Sequence, residues 1–182
     1  MHIRTILSVA LIPMLASGCA TMEPDVETVG DTQTVAAADL RDAAGALVGR
    51  ATLDRDGNAL EVNLTVDRMS AGVRAFHLHT TGRCDAPDFT SAGGHLNPFG
   101  KSHGQLSGDG KHLGDLPNVV INSDGSAVAA GTLEGSAEDL LPLIFDNDGT
   151  AVMLHGGADD YVSDPAGAAG PRIACGVLRR PG

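Results

Sequence analysis

Leu60-Glu61-Val62-Asn63-Leu64-Thr65-Val66-Asp67 alternates apolar and polar side chains without a break. Residues two apart on an extended chain face the same side, so Leu60, Val62, Leu64 and Val66 share one face and Glu61, Asn63 and Thr65 the other. That is the signature of a strand with one dry and one wet side. Just before it, Asp56-Gly57-Asn58 is a turn sequence and 47–53 carries a weaker strand pattern, which predicts a hairpin. A second such pair flanks Ser123-Asp124-Gly125, with strand-like segments at 118–122 and 127–133. Further strands are expected at 36–40, 74–79, 151–155 and 173–178. Eight short strands without a long helical period predict an all-β domain, an antiparallel barrel or sandwich. Tryptophan is absent and Tyr161 is the single tyrosine, so the core has to be built from valine, leucine, isoleucine and alanine.

Residues 80–116 break the strand period and contain Gly82, Gly93, Gly94, Gly100, Gly104, Gly108, Gly110 and Gly114. A loop of that length inside one domain needs something to tie it down. Six of the seven histidines, His77, His79, His95, His103, His112 and His155, lie in or beside it in the order the chain presents them. His77 and His79 share one strand face and can grip a single metal while Leu78 points away. His155, at the end of another expected strand, can complete a nitrogen-rich set suited to Cu(II). His103, His112 and Asp115 need one more imidazole to make a tetrahedral set suited to zinc. A His95 that offers one ring nitrogen to each metal fills both shortages. The acids Asp109, Asp124, Asp146 and Asp148 read as turn residues and not as a calcium site.

At the N-terminus, Arg4, the apolar run 6–15 and Ala16-Ser17-Gly18-Cys19 read as an export signal, residues 1–18, ending at a lipoprotein-type acylation site on Cys19. The run is too short to span a bilayer. Ala20 after the cysteine favours the outer membrane, which places the protein in the periplasm of a two-membrane envelope. Residues 19–34 form a lipidated, acidic tether with Glu23, Pro24, Asp25, Glu27 and Asp31. The folded domain is expected over 35–182, a length that suits one domain. Loss of Arg4 with the signal leaves 11 basic against 23 acidic residues, a formal charge of -12. That surface repels nucleic acid and anionic lipid, so membrane attachment rests on Cys19 and no nucleic-acid partner is expected. An anionic substrate needs a locally positive mouth.

The chain resembles copper/zinc superoxide dismutases of the bacterial exported kind. The resemblance runs in family order from Phe76 to Gly176, through Phe76-His77-Leu78-His79, Gly82-Arg83-Cys84, Ser91-Ala92-Gly93-Gly94-His95-Leu96-Asn97-Pro98, His103-Gly104, His112-Leu113-Gly114-Asp115-Leu116-Pro117-Asn118, His155 with Ala158-Asp159-Asp160, and Arg172-Ile173-Ala174-Cys175-Gly176. It implies a flattened eight-stranded Greek-key β-barrel, an immunoglobulin-like sandwich with long loops over the metals. It implies copper held by His77, His79, His95 and His155, and zinc held by His95, His103, His112 and Asp115. Asp159 would bridge His77 to His103, Cys84 and Cys175 would pair as a disulfide, and Arg172 would guide superoxide to copper. The implied reaction takes two superoxide anions and two protons to dioxygen and hydrogen peroxide by alternating Cu(II) and Cu(I), with His95 as proton carrier, and protects the cell envelope.

The segment between His155 and Arg172 is short and lacks lysine, so the family's other guide residues have no secure match there. Lys101 and Lys111, the only lysines, are the remaining candidates for added attraction. A noncatalytic copper-binding or copper-delivery module on the same barrel is the alternative; a lost copper ligand or guide arginine would favour it, and none is lost. Residue order maps no apolar patch, which leaves monomer and homodimer both open.

Overall fold

The computed structural model describes residues 32–182. The expected signal, Cys19 and most of the tether lie outside the described residues. Nine strands are present there: β1 (Gln33–Asp42), β2 (Leu47–Asp56), β3 (Ala59–Val66), β4 (Gly72–Arg74), β5 (Phe76–His79), β6 (Val119–Ile121), β7 (Ala127–Thr132), β8 (Ala151–His155) and β9 (Arg172–Val177). One α-helix, α1 (Ala137–Ile144), lies between β7 and β8, and a single 3-10 turn spans Thr90–Ala92.

The alternating stretch is β3, and its Leu60, Val62, Leu64 and Val66 are each no more than 1% exposed. Across the ladders Leu64 stands opposite Ala51 of β2 and Ala129 of β7, so small residues flank a large one and the interior fills evenly. The hairpin from β2 to β3 turns on Gly57 and Asn58, with Gly57 at a φ of 56°, a backbone state that glycine enters without steric cost.

Seven strands form one antiparallel sheet in the order β5-β8-β9-β1-β2-β3-β7, and β4 pairs with β6 in a second. β6 turns tightly into β7, where the Asn122 N–H donates to the Ser126 carbonyl at 2.9 Å. The curled sheet therefore closes through the small one. β3 lies beside β7 instead of β4, and that skipped neighbour makes the order a Greek key.

The single strand expected at 74–79 is divided between the two sheets. The change falls at Ala75, which is fully buried and has little side chain to obstruct a corner. Its N–H donates to the Gly157 carbonyl at 2.7 Å and its carbonyl accepts from the His155 N–H at 3.0 Å. With β4 and β5 taken as one bent strand, the barrel has the expected eight.

Helix α1 has no counterpart among the sequence expectations. Ser136 caps it by accepting from the Asp139 N–H at 3.2 Å, and Glu138 and Asp139 sit in its first turn, where a helix favours negative charge. Leu140 and Ile144, one turn apart, bury its inner face.

Candidate metal centre

β5 is the end strand of the large sheet, and the glycine-rich loop pairs with its free edge. Leu78 donates its N–H to the Gly114 carbonyl and accepts from the Leu96 N–H, both at 2.9 Å. These bonds create bridges from His77 to Asp115 and from His79 to His95. Residues far apart in the chain are thus set side by side by backbone geometry. Gly131 of β7 helps from below: a Cβ there would lie 2.8 Å from Leu116 and 2.9 Å from Pro117, which pack over it directly after Asp115.

His77, His79, His95 and His155 come together, as do His95, His103, His112 and Asp115; within each set the ligand atoms lie no more than 4.8 Å apart and every residue is buried. His95 belongs to both. In the second set the Nδ1 atoms of His95, His103 and His112 stand 2.8, 3.1 and 3.2 Å from Asp115 Oδ1. Asp115 Oδ2 accepts from the N–H groups of Gly104 (2.8 Å) and His112 (3.0 Å), which aims the carboxylate. In the first set His79 Nε2 and His155 Nε2 are 3.4 Å apart.

The outward nitrogens of four rings, His77, His79, His103 and His155, are anchored. His77 Nε2 donates to Asp159 Oδ2 at 2.8 Å, and His103 Nε2 donates to Asp159 Oδ1 at 3.0 Å. His79 Nδ1 donates to the Gly93 carbonyl at 3.0 Å, and His155 Nδ1 to the Gly170 carbonyl at 3.3 Å. A proton held on the outer nitrogen leaves the inner one with its lone pair free for a metal. Three buried inner nitrogens, His77 Nδ1, His95 Nε2 and His103 Nδ1, have no hydrogen-bond partner. Orphaned buried polar atoms are costly and rare in a folded protein. Here they converge within two four-ligand clusters, which fits a copper-type nitrogen set beside a zinc-type N3O set.

Burial drives His79 down to about 2 and His95 and His155 to about 4, and also lowers His77, so all four rings are neutral near pH 7. Neutral imidazole is the form that binds a metal. Burial opposes the charge on Asp115, but the hydrogen bonds from His95 and the Gly104 N–H outweigh it and bring the carboxyl to about 2. Asp159 is likewise held low: burial raises it, and bonds from His77, His103 and the Tyr161 N–H prevail.

Arg172 enters the site from the first position of β9, beside a register shift that sets it opposite His155. Its Nη1 donates to the Phe89 carbonyl at 2.7 Å and its Nη2 to the Gly93 carbonyl at 2.6 Å. It lines an open cavity of about 440 Å³ with Pro87, Asp88, Thr90, Gly170 and Pro171. Cys84 and Cys175 form a disulfide that joins the loop to β9, with Cα atoms 5.6 Å apart. The lysines lie elsewhere. Lys101 pairs with Asp109 at 3.3 Å and Lys111 with Glu134 at 3.4 Å, and both line a cavity of about 120 Å³ beside His112.

Three supporting residues escape the sequence reading of the site. Asn118 accepts from the Asp159 N–H (2.8 Å) through its side-chain oxygen, donates to the Asp159 carbonyl (2.9 Å) through Nδ2, and gives its own N–H to the Tyr161 hydroxyl (2.8 Å). It stands in one of the quoted motifs, so its presence was visible, but its clamp on Asp159 was not. Tyr161 completes the clamp by donating its N–H to Asp159 Oδ1 at 2.6 Å. Gly167, at a φ of 62°, leaves room for the Asp159 bridge, since a Cβ there would collide with Asp159 Oδ1 and His103 Nε2.

Comparison with known proteins agrees with this geometry. The family model for copper/zinc superoxide dismutase (SODC) matches residues 47–178. Cu-Zn superoxide dismutase 1 of Aquifex aeolicus is 41% identical over 148 residues, 78% of this chain and 86% of the relative. Cu-Zn superoxide dismutase of Caulobacter vibrioides is 34% identical over 154 residues, 81% of this chain and 84% of the relative. The crystal structure of a SOD-like protein from Bacillus subtilis superposes with a TM-score of 0.72 at 35% identity, covering 79% of this chain and 97% of that one. A barrel of this order, a histidine shared by two adjacent ligand sets and a match over most of the domain lead to one conclusion: the chain belongs to the copper/zinc superoxide dismutase family.

Proposed function

We propose that this chain converts two superoxide anions and two protons to dioxygen and hydrogen peroxide, with copper at His77, His79, His95 and His155 and zinc at His95, His103, His112 and Asp115. The observation that carries the assignment is His95, whose Nδ1 is held at Asp115 while its buried Nε2 has no partner. Bound there, copper supplies a one-electron acceptor and donor, and zinc supplies a fixed positive charge.

The chain's own groups do the rest. Arg172, held by two carbonyls, attracts superoxide and orients it in the cavity that it lines. Asp159 keeps His77 and His103 in the tautomers that turn their Nδ1 atoms inward. His95 Nε2 takes up a proton in the first half of the cycle and delivers it to the second superoxide. Solvent provides the other proton through the open cavity.

The test is superoxide turnover by protein loaded with one copper and one zinc per chain, with metal content measured on the same sample and cyanide as inhibitor. Rapid, cyanide-sensitive turnover is expected. Full loading without turnover would leave a copper-binding or copper-delivery role on the same barrel.

The site of action is also proposed. Residues 1–18 direct export, Cys19 becomes the acylated first residue, and the domain works in the periplasm on a tether from the outer membrane, where it protects the envelope. Two acyl attachments supply a lasting anchor that one chain does not. Replacement of Cys19 by serine is expected to move the protein from the membrane fraction to the soluble periplasmic fraction; unchanged fractionation would remove the lipid anchor from this account.

A further inference from the structure

Arg172 is fixed by the carbonyls of Phe89 and Gly93, and the residue directly before Phe89 is an acid, Asp88. The Asp88 carboxylate is itself held: Oδ1 accepts from the Thr90 N–H at 3.1 Å and from the Thr90 hydroxyl at 2.9 Å. These bonds, with Arg172 adding to them, keep its carboxyl below the usual range, so it is charged at any neutral pH. Asp88 is exposed, and it lines the same 440 Å³ cavity as Arg172. No salt bridge within 4.0 Å joins Arg172 to a carboxylate among the described residues, so neither charge is spent on a direct contact.

We propose that Asp88 is a charge filter at the Arg172 cavity, weakening anion capture overall and discriminating against dianions more than against monoanions. The proposal rests on the superoxide reading of this site. A fixed charge acts on an incoming ion in proportion to that ion's own charge. At several ångströms in water-like surroundings, one carboxylate lowers monoanion affinity about 2- to 3-fold, and the same field lowers dianion affinity by about the square, 4- to 9-fold. The Debye length at physiological ionic strength is about 8 Å, so the effect is confined to the cavity scale. Superoxide is a monoanion, whereas inorganic phosphate near neutral pH is partly a dianion. Asp88 therefore gives up some superoxide capture and in exchange keeps phosphate off the guanidinium.

The experiment compares Asp88→Asn with Asp85→Asn in the copper- and zinc-loaded protein. Asparagine at 88 keeps a side-chain oxygen that can accept from the Thr90 N–H and hydroxyl, as aspartate does. Asp85 is exposed, pairs with Arg83 at 2.6 Å and does not line the cavity, so its variant makes the same change in net charge nearby. Azide binding is read from the copper absorption band, and phosphate binding from ³¹P relaxation by Cu(II). In D88N we expect azide to bind about 2- to 3-fold and the phosphate dianion about 4- to 9-fold more tightly, with superoxide turnover at low salt rising about 2- to 3-fold. D85N should leave all three nearly unchanged. Equal shifts in D88N and D85N, or one common factor for azide and phosphate in D88N, would overturn the filter. Wild-type protein that binds no azide at its copper would instead overturn the superoxide reading itself.

Discussion

Between the wall formed by β1, β2, β3 and β7 and the loops at 80–116 and 156–171, the roles of polar and apolar groups are exchanged. In the wall, leucines and valines fill the interior and charged groups such as Asp54 lie outward, bonded to Thr34, Thr52 and Asn63. Around the loops ionisable groups join the interior: among the described residues, every buried ionisable side chain is a candidate metal ligand or Asp159, supplied by the loops, β5 and β8 and set beside buried apolar residues such as Leu96 and Leu116. Apolar burial is non-directional and tolerates small errors, whereas buried polar groups are stable only with partners in the right place. The wall can therefore form without metal, and the loops depend on contacts that converge from distant parts of the chain.

The largest break in this arrangement should come from cutting the tie between the loop at 80–116 and β9, the strand that pairs with β1 of the wall. Cys175→Ser opens a loop spanning 91 positions, and chain-entropy reasoning assigns its closure about 4 to 5 kcal/mol; the denaturation midpoint under non-reducing conditions reads the loss. Within the wall alone, Leu64→Ala removes a side chain that is 1% exposed. It should cost about 3 kcal/mol while leaving metal bound per folded molecule unchanged, as titration of the refolded protein would show. Asp159→Ala should do the reverse, lowering zinc affinity about 10- to 100-fold in chelator competition, with little effect on wall stability. An unchanged zinc affinity would mean that the bridge does not orient the ligands.

Acid should separate the regions more gently. In the metal-free protein, His95 and His155 have folded values near 4 against 6.5 in the open chain, because burial disfavours the charged ring. Unfolding then takes up protons, so stability is full above pH 6.5 and declines as pH falls from 6.5 towards 4. Asp54 contributes in the opposite chemical sense. Burial raises it, but bonds from Thr34, Thr52 and Asn63 lower it overall, so its share persists above 3.8 and is lost only as pH drops below that. Denaturant midpoints measured across pH should show the first decline in the metal-free protein, with bound metal suppressing it until the metal leaves. The smallest effect is expected on the wall's surface: Arg50→Ala breaks a 2.7 Å pair with Asp39 whose side chains are 60% and 50% exposed, and should cost less than about 1 kcal/mol.

What residue order reveals follows the same division. The alternation from Leu60 to Val66 and the one-residue gap between His77 and His79 are local, and each fixes which way side chains point once the chain is extended. The bend at Ala75 is not local, because it depends on which sheet each half of the strand can reach. Helix α1 spans eight residues and contains Pro142, too short and too interrupted to show a clear period. The contacts that finish the site join distant segments: Asn118 reaches Asp159 across 41 positions and Arg172 reaches Phe89 across 83. No spacing rule encodes such pairings, and the two lysines show the reverse difficulty: they lie between candidate ligands in the chain, yet each is paired with an acid beside His112.

The Gly93 carbonyl accepts from both His79 and Arg172. One oxygen atom is therefore a common datum for a candidate metal ligand and for the arginine proposed to receive superoxide. His79 stands on β5 and Arg172 on β9, with β8 between them, so this loop oxygen links side chains from two strands that do not pair directly. A displacement of that one carbonyl would disturb both side chains at once, so the two groups share a single reference point instead of two.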